Sequence, residues 1–445
     1  MSQQGACVGG QDIAGQDVRD LPPKPDRERA ETDGRLFVGD AGEMRFSPTQ
    51  SLRWGMSPGA EFLVRETPDG LLLEPRDPVL SKVYVEPTSA CNLACRTCMR
   101  RSWNEPVGTM EMNTYRRLVE GLREVPSLRK IAFWGLGEPL LHPQIVEMVA
   151  QAKALGAKTE IVTNGLLLQE GVARELVAVG LDTLVISVDG ASQEAYENIR
   201  SGADLQQVQK NIEVLRAIRR ANSRGNPEIG IEFVVMRRNL GELPRLPQLA
   251  YAMGASFVVV SNLLPYTEEL QDEILYGLWA GRSYLPQRSR RMPEVLLPRI
   301  DARREVVEPI MSLMYHTDFA QSSSDRLEEG NGYCRFVREG AVAVSWDGAL
   351  SPCIALMHSY ECYVMRRQKR ILRYTLGNVA QEGIARLWHS PEYVAFRDRV
   401  RRFDFAPCSD CGGCNLAESN EQDCVSSTFP VCGDCLWAKG VIQCP

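Results

Sequence analysis

The amino-acid sequence predicts an α/β fold in which six strand–helix units form an open, partial barrel. Short apolar runs alternate with amphipathic helical patterns through residues 81–282. The apolar runs are rich in β-branched residues, as is typical of parallel strands that are buried on both faces. A small β-rich segment precedes this region, and a cysteine-rich tail follows it. In repeated strand–helix units, functional side chains lie at the carboxyl ends of the strands.

The bounds of the predicted elements follow from hydrophobic periodicity. The six strands are predicted at residues 82–86, 130–134, 158–163, 183–188, 228–236 and 256–260. The amphipathic helices between them include residues 113–124, 143–155, 205–222 and 243–253. Residues 283–333 contain several prolines and an arginine cluster. We expect them to form an irregular linker, with a docking surface for an acidic partner as the alternative.

Composition limits the classes of partner. The chain has 445 residues, enough for roughly two to four domains, and a formal net charge of −6. This acidic balance does not favour nucleic acid as a partner. No apolar run is long enough to span a membrane, and no export signal is recognisable. The 14 cysteines, several of them in C-x2-C pairs, therefore predict metal ligation in a reducing cytoplasm.

The first 80 residues divide into two predicted segments. Residues 1–34 are polar and contain several prolines, and we expect a disordered leader. Residues 35–80 alternate short strands with turn signals, in stretches such as LRWGMSPGAEFLV and DGLLLEP. This segment resembles the swapped-hairpin domain of transition-state regulators, which is an intertwined dimer. The resemblance implies a homodimer through residues 35–80. DNA binding, which is common in that family, is the alternative, and the few arginines of the segment make dimerisation or docking the preferred interpretation.

A three-cysteine loop directly follows the first predicted strand of the barrel. Its sequence, VYVEPTSACNLACRTCMR, places Cys91, Cys95 and Cys98 at C-x3-C-x2-C spacing. Three thiolates on one tight loop suit three irons of a [4Fe-4S] cluster, whereas electron-carrier clusters use four cysteines. The fourth iron is then open to an outside ligand, which is typical of a catalytic centre. A structural zinc loop is the alternative.

This loop resembles the signature of the radical S-adenosylmethionine (SAM) superfamily. In that family the open iron binds the amino and carboxylate groups of SAM, and an electron from the cluster cleaves the sulfonium to give a 5′-deoxyadenosyl radical. The resemblance implies that Cys91, Cys95 and Cys98 are both catalytic residues and cluster ligands. The residue before the third cysteine is usually an aromatic side chain near the adenine, but here it is Thr97. We expect Trp103 or a backbone contact to replace that ring.

Polar motifs follow the next three predicted strands. Residues 134–139 read WGLGEP and resemble the family's Gly-Gly-Glu motif, which receives the SAM ammonium group. Glycine allows close backbone approach, and a carboxylate pairs with a cation. TNG follows the third strand and SVDG the fourth, where short polar side chains suit the ribose hydroxyls and the carboxylate of SAM. A turn without ligand contact is the alternative for each motif. The predicted SAM-binding residues are Gly137, Glu138, Pro139, Asn164, Ser187 and Asp189.

Three other polar residues near strand ends carry weaker signals. Asn239 and Asn262 follow the fifth and sixth strands and are further candidates for the site. His142 follows the WGLGEP motif, and we expect it to start the next helix rather than to bind metal.

The tail from residue 334 holds ten of the 14 cysteines. It opens with C-x13-G-x4-C from Cys334 to Cys353, across a predicted hairpin whose turn is at Asp347 and Gly348. This pattern resembles the SPASM extension of radical SAM enzymes, which typically carries two auxiliary [4Fe-4S] clusters. A zinc ribbon is the alternative. The predicted ligands in the tail are Cys334, Cys353, Cys408, Cys411, Cys414, Cys424, Cys432 and Cys435.

The later cysteine spacing departs from the SPASM pattern, so the resemblance does not assign every ligand. Cys334 and Cys353 bracket one hairpin and are predicted to share a cluster. The second cluster is predicted to use the three cysteines of one short loop, Cys408, Cys411 and Cys414. The missing ligands then come, in an open order, from Cys424, Cys432 and Cys435. The two spare thiols are predicted to be Cys362 and Cys444.

These motifs predict an enzyme that cleaves SAM and modifies a protein, a peptide or a pterin-type cofactor. The run CRTCMRRSW, the β-rich N-terminal segment and the ending FPVCGDCLWAKGVIQCP resemble the maturases of tungsten-containing aldehyde oxidoreductases. Reduced ferredoxin or flavodoxin is the expected electron donor. One alternative is a peptide-modifying SPASM enzyme that makes thioether or carbon–carbon crosslinks. The other is an iron–sulfur redox-sensing, DNA-binding regulator, which the intact SAM-binding set disfavours.

Overall fold

The computed structural model describes most of the chain from residue 78 onward. The described residues are 78–222, 225–276, 300–301, 303–315, 334–410 and 414–443, together with strands at 37–38, 44–45, 62–67, 70–75, 294–297 and 320–322. The predictions for the leader at residues 1–34 and for Cys411 and Cys444 lie outside these residues.

The chain divides into two compact units, residues 1–58 and 59–445. The strands described before residue 78 are β1 (Phe37–Val38), β2 (Met44–Arg45), β3 (Phe62–Thr67) and β4 (Gly70–Pro75). In the first unit β1 pairs antiparallel with β2, and in the second unit β3 pairs antiparallel with β4. Thr67 pairs with Gly70, on either side of the turn predicted there. The division at residue 58 falls inside the predicted 35–80 domain, whose swapped-hairpin character stays a prediction.

The rest of the second unit is built on one large sheet. The strands from residue 82 onward are β5 (Lys82–Val85), β6 (Lys130–Phe133), β7 (Lys158–Thr163), β8 (Thr183–Ser187), β9 (Glu228–Val235), β10 (Phe257–Asn262), β11 (Glu294–Leu297), β12 (Ala320–Ser322), β13 (Ala341–Val344), β14 (Ala349–Ser351), β15 (Tyr360–Val364), β16 (Arg367–Ile371) and β17 (Gly377–Asn378). Among the described strands, the sheet order is β12-β11-β10-β9-β8-β7-β6-β5-β13-β14-β17. Strands β5 to β12 run parallel, and β15 and β16 form a separate antiparallel hairpin.

The six predicted strands are confirmed as β5 to β10, each within two residues of its expected bounds. The linker predicted at residues 283–333 is wrong in part, because β11 and β12 come from it and extend the parallel sheet beyond β10. These strands have only four and three residues, too few for a period-2 pattern to stand out between prolines and charges. The hairpin predicted after Cys334 is formed by β13 and β14. Its first strand also pairs parallel with β5, so the tail continues the barrel sheet.

Helices cover the sheet between successive strands. Their bounds are α1 (Met112–Leu122), α2 (Ile145–Ala154), α3 (Glu170–Ala178), α4 (Gln193–Ile199), α5 (Leu205–Ala221), α6 (Leu246–Met253), α7 (Arg304–Tyr315), α8 (Arg335–Arg338), α9 (Ile384–Trp388) and α10 (Pro391–Arg402). The four helices named in the sequence prediction are confirmed as α1, α2, α5 and α6. Within the described part of the chain, none of the helices combines the length and apolar character needed to cross a membrane.

Alternation along the strands separates the helix-facing core from the face that carries the site. On β5, Val83 and Val85 pack in the main apolar core with the helices, whereas Tyr84 packs in a different cluster with Ala132. Glu86 follows in the same alternation as Tyr84 and is fully buried. The carboxyl ends of the parallel strands therefore carry polar side chains that point away from the helix layer.

Candidate active site and cysteine groups

The three-cysteine loop leaves the sheet at the carboxyl end of β5. Cys91, Cys95 and Cys98 are free thiols, and each residue is partly exposed. The backbone N–H of Arg96 donates to the carbonyl of Ile199 at 2.9 Å, which ties the loop to the end of α4. The loop is thereby held against the carboxyl edge of the sheet rather than projecting into solvent.

The three thiols share one electrostatic neighbourhood. Burial raises the pKa of Cys95 to about 11, the Arg200 guanidinium opposes this rise, and Cys98 and Cys91 add to it. Among the described residues, no three His, Cys, Asp or Glu side chains converge closely enough to hold one metal ion. The ligands of a [4Fe-4S] cluster bind separate irons and lie farther apart. Three neighbouring thiols beside a cation are therefore a donor set that fits such a cluster.

The WGLGEP loop packs directly on the backbone of the cysteine loop. The N–H of Glu138 donates to the carbonyl of Ala90 at 2.8 Å. A Cβ atom added to Gly137 would lie 2.1 Å from the carbonyl oxygen of Thr88 and 2.4 Å from that of Ala90. Any side chain would displace backbone, so this contact requires glycine. Pro139 then begins a short 3-10 turn that leads the chain away from the sheet.

The Glu138 carboxylate is buried and joins two loops of the site. It accepts hydrogen bonds from the Thr163 hydroxyl at 2.6 Å, the Asn164 N–H at 2.8 Å and the Leu140 N–H at 3.0 Å. Burial raises the pKa of Glu138, and these three hydrogen bonds oppose that rise. A carboxylate has about four acceptor positions, so most of its capacity is used within the protein.

Asn164 connects the carboxyl end of β7 to the cysteine loop. Its side-chain N–H donates to the amide oxygen of Asn92, the residue after Cys91, at 2.8 Å. Its own amide oxygen accepts from the N–H of Leu166 at 3.0 Å. Asn164 is buried. Asn164 therefore positions the three-cysteine loop.

Asp189 is buried and holds a cation beside the cysteine loop. Its carboxylate accepts from the N–H of Val234 at 2.9 Å and pairs with Arg200 Nε at 2.8 Å. Asn239 donates to its carbonyl at 2.9 Å. We expected direct contact with SAM, but the side chain has no exposed surface because these partners enclose it. Asp189 instead orients Arg200, the cation that acts on Cys95.

Glu232 was not among the residues predicted from the sequence. It lies on β9 opposite Ser187 of β8, and the Ser187 hydroxyl donates to its carboxylate at 3.4 Å. Burial raises the pKa of Glu232 to about 7, with Arg200 opposing that rise. Its strand reads EIGIEFVV, in which glutamate breaks an otherwise apolar run. That interruption in the middle of the strand, between Ile231 and Phe233, was the signal available in the sequence.

A second ionic cluster joins the barrel to the tail. The Nε2 atom of His358 lies 2.8 Å from a carboxylate oxygen of Glu86, and its Nδ1 lies 2.6 Å from one of Glu105. The N–H of Ser359 donates to the second oxygen of Glu105 at 2.6 Å. Burial disfavours the charged imidazolium, but the hydrogen bonds to Glu105 and Glu86 outweigh it and raise the pKa of His358 to about 9. A protonated His358 therefore bridges two carboxylates.

The same cluster reaches the WGLGEP loop. The other oxygen of Glu86 accepts from the N–H of Leu136 at 3.0 Å. The ring of Trp103 meets His358 edge-on, with the centroids 4.6 Å apart. We expected Trp103 as a possible replacement for the aromatic side chain near the adenine. In the structure, the ring of Trp103 packs against His358 of the tail.

Four thiols of the tail form a first group. They belong to Cys334, Cys353, Cys432 and Cys435. Burial raises the pKa of Cys353 well above its ordinary value, and Cys334 and Cys435 raise it further. The pKa of Cys432 is raised in the same way, by burial first and then by the other three thiols. Three of the four, all except Cys334, line one largely apolar cavity. Four thiols that act on one another, three of them around one cavity, fit a four-cysteine cluster.

The remaining described thiols of the tail divide between that cavity and a second group. Cys408 is partly exposed, and Cys414 and Cys424 are exposed. Burial raises the pKa of Cys408, and among the thiols Cys424 adds to this. Cys362 is buried and lines the same cavity as Cys435. Cys424 therefore lies near Cys408 and belongs to the second group.

The weaker candidates have structural contacts. The ring Nδ1 of His142 accepts from the N–H of Gln144, the residue before α2, at 3.1 Å, in agreement with a role at the helix start. Its Nε2 lies 2.9 Å from the carbonyl of Met110. The side chain of Asn262 donates to the carbonyl of Val441 at 2.8 Å, which fastens the end of β10 to the tail.

Two family models match this chain. The radical SAM superfamily model covers residues 85–243, and the SPASM model, an iron–sulfur cluster-binding domain, covers residues 334–415. This chain is a radical SAM enzyme with a SPASM domain. Both domains imply [4Fe-4S] clusters, and the first implies SAM as the molecule cleaved. The predicted family, the parallel α/β fold and the class of cofactor are confirmed.

Named relatives of the enzyme include a cofactor-modifying protein and a peptide cyclase. It is 28% identical over 370 residues to the tungsten-containing aldehyde ferredoxin oxidoreductase cofactor-modifying protein of Pyrococcus furiosus, a match that covers 82% of this chain and 96% of that protein. It is 26% identical over 355 residues to the PqqA peptide cyclase of Granulibacter bethesdensis, covering 79% and 84%. Streptococcus suis SuiB bound to S-adenosylmethionine superposes with a TM-score of 0.50 at 16% identity, over 76% of this chain and 72% of SuiB. That likeness shows the fold.

Proposed function

We propose that this enzyme matures a tungsten-containing aldehyde oxidoreductase by modifying the partner protein, a peptide or a pterin-type cofactor. The supporting observation is the similarity to a cofactor-modifying protein that covers 96% of that relative. A match of this extent is not limited to one shared domain. Reduced ferredoxin or flavodoxin is the proposed electron donor, because cleavage of SAM consumes one electron.

The three-cysteine loop is the proposed catalytic centre. Cys91, Cys95 and Cys98 would hold a [4Fe-4S] cluster, which with SAM supplies a 5′-deoxyadenosyl radical that abstracts hydrogen from the substrate. Arg200, largely buried near Cys95, balances the negative charge of the thiolates. Gly137 keeps the WGLGEP backbone in contact with this loop.

The proposed SAM contacts come from the strand ends around that loop. Glu138 has about one acceptor position left for the SAM ammonium group. Ser187, the last residue of β8, faces Glu232 of β9, and the two side chains offer polar contacts to the rest of SAM. Pro139 and Asn164 hold the two loops in place, and Asp189 acts through Arg200.

The two thiol groups of the tail are the proposed sites of the auxiliary clusters. The first cluster would be held by Cys334, Cys353, Cys432 and Cys435. The second would be held by Cys408, Cys411, Cys414 and Cys424. The mutual effects of the first four thiols on their pKa values, and of Cys424 on Cys408, support this division. It leaves Cys362 without a cluster although it lines the cavity.

A peptide-modifying enzyme is the second candidate. The similarity to a PqqA peptide cyclase, which covers 79% of this chain, favours it. In that case the substrate would be a short precursor peptide, and the product would carry a new thioether or carbon–carbon bond. A short peptide encoded beside this chain would be the substrate to test.

Gene deletion separates the two candidates. In a host with a tungsten-containing aldehyde oxidoreductase, the deletion should leave that enzyme expressed but inactive, while other tungsten or molybdenum enzymes keep normal activity. The wild-type gene should restore activity, and a gene encoding Cys95→Ala should not. Full oxidoreductase activity in the deletion strain would refute the maturase proposal and leave the peptide-modifying candidate.

A further inference from the structure

The tail contains a buried ion pair that none of the site functions uses. Lys369 Nζ lies 2.7 Å from a carboxylate oxygen of Asp434, and the two side chains are 3% and 6% exposed. Two charges are costly to remove from water, and a neutral pair of similar volume often serves stability equally well. The position of this pair relative to the thiols suggests what the charges do.

The ion pair lies between the two thiol groups of the tail. Asp434 is in the turn between Cys432 and Cys435 of the first group. Lys369 Nζ also donates to the carbonyl of Ala417, in the short turn that begins just after Cys414 of the second group, at 3.3 Å. One ammonium group therefore contacts the loops that carry both sets of thiols.

Both charges act on one thiol of each group. Asp434 and Lys369 influence the pKa of Cys435 in the first group, in opposite directions. The same two residues have the largest charge effects on Cys408 in the second group. The charged groups that act on Cys95 and Cys98 are different ones, namely Arg200, Asp189 and Arg100. Lys369 and Asp434 also line the cavity that Cys353, Cys432 and Cys435 share. The field of this pair therefore reaches both auxiliary sites, and it also acts on the unassigned thiol of Cys362.

We propose that the Lys369–Asp434 ion pair sets the reduction potentials of the two auxiliary clusters. The inference rests on the proposed assignment of the tail thiols. A cluster gains one negative charge on reduction, so a nearby cation stabilises the reduced form and raises the potential, and a nearby anion lowers it. Lys369 and Asp434 thus counteract each other, and each can be removed separately.

Redox titration followed by electron paramagnetic resonance tests this on the anaerobic holoenzyme. Lys369→Met should lower the potentials of the auxiliary clusters, and Asp434→Asn, which keeps the shape of the side chain, should raise them. Lys369→Arg keeps the charge and should stay near wild type. The catalytic cluster, which this pair does not contact, should keep its potential in all variants and serves as the internal reference.

The sign reversal makes the outcome decisive. Unchanged auxiliary potentials in Asp434→Asn, with iron content retained, would overturn the proposal. Shifts of the same sign in Lys369→Met and Asp434→Asn would also overturn it. Such shifts would indicate that both substitutions admit water to the clusters, whatever the charge removed. If Lys369→Met fails to fold, Asp434→Asn and Lys369→Arg still decide. The assignment of the tail thiols to clusters is tested separately, by measuring the iron content of the wild-type protein. Iron in the catalytic centre alone would refute that assignment.

Discussion

The Nε2 atom of His358 lies 2.8 Å from a carboxylate oxygen of Glu86, although the two residues are 272 positions apart in the chain. Glu86 directly follows β5 and also accepts from the N–H of Leu136 in the WGLGEP loop. Glu105 holds the other ring nitrogen. One imidazole of the tail is therefore hydrogen-bonded to two carboxylates that flank the cysteine loop, and one of these, Glu86, also holds the WGLGEP loop.

We predict that this cluster makes folding stability depend on pH above neutrality. The pKa of His358 is raised from 6.5 to about 9. Its contribution to stability is then complete below about pH 6.5 and is lost as pH rises through about 9. A shift of this size corresponds to roughly 3 kcal/mol. Anaerobic denaturation from pH 6 to 9.5 should show a steeper loss for wild type than for His358→Gln.

The control for that measurement is His389→Gln, which changes an exposed histidine. It should keep the wild-type pH slope. The other charged groups of the cluster are Glu86, Glu105 and Arg373, which acts on Glu105. Equal slopes in wild type and His358→Gln would show that His358 is not protonated in the folded enzyme.

The second prediction concerns SAM cleavage. Cys95→Ala removes one of three cluster ligands, so formation of 5′-deoxyadenosine by the reduced, reconstituted enzyme should fall to background. Cys362→Ser, which removes a thiol assigned to no cluster, should leave it near wild type. Chromatography of the nucleoside product measures both. Undiminished 5′-deoxyadenosine from Cys95→Ala would remove the loop from the catalytic centre.

Iron content provides the third prediction. Three cubane clusters require about 12 irons per chain. Replacing Cys91, Cys95 and Cys98 together should remove about four and leave about eight. Cys353→Ser should lower the iron content of the first auxiliary cluster alone, and the second cluster should be retained. Anaerobic iron, sulfide and zinc analysis decides, and zinc in place of iron in the tail would identify a structural ribbon.

Asp189 gives the fourth prediction. Asp189→Asn would remove the buried carboxylate that pairs with the largely buried Arg200, and removal of one partner from such a pair costs about 3–5 kcal/mol of unfolding free energy. The exposed pair Glu170–Arg174 is the control, because Glu170→Gln should change stability by less than about 1 kcal/mol. Chemical denaturation under anaerobic conditions compares the two. Similar small losses would mean that Arg200 has another counter-charge.

The fifth prediction concerns oligomeric state. A hairpin-rich segment of this size buries little core on its own, so residues 35–80 should be stabilised by a second copy or by docking. We expect a dimer that becomes a monomer when residues 1–80 are removed. Sedimentation velocity measures this directly. An unchanged oligomeric state after truncation would exclude a dimerising role for the segment.

The elements predictable from the sequence were those that are locally encoded. Each central strand carries its own apolar run, so strands such as β7 and β10 were placed within two residues. The three-cysteine loop was recognised because its cysteines lie within eight positions of one another. β11 and β12 were missed because they are too short to show a period.

The features that could not be predicted depend on distant residues meeting. Glu86, Glu105 and His358 each look like an ordinary polar residue in a strand end or loop, and only the fold makes them a cluster. Lys369 lies in a short polar hairpin, where a lysine normally faces solvent, yet its side chain is buried and paired with Asp434. Tertiary contacts of this kind leave no periodic signal in the sequence.

The parallel pairing of β13 with β5 has a consequence for anyone who wishes to exchange or trim the two halves of this enzyme. A chain cut before Cys334 would expose the backbone edge of Lys82–Val85, and such open strand edges recruit other chains and aggregate. Chimeras should therefore join the barrel of one homologue to a tail that brings its own edge-covering strand. The tail therefore supplies a strand of the barrel sheet, and the barrel cannot be separated from it without exposing an edge of that sheet.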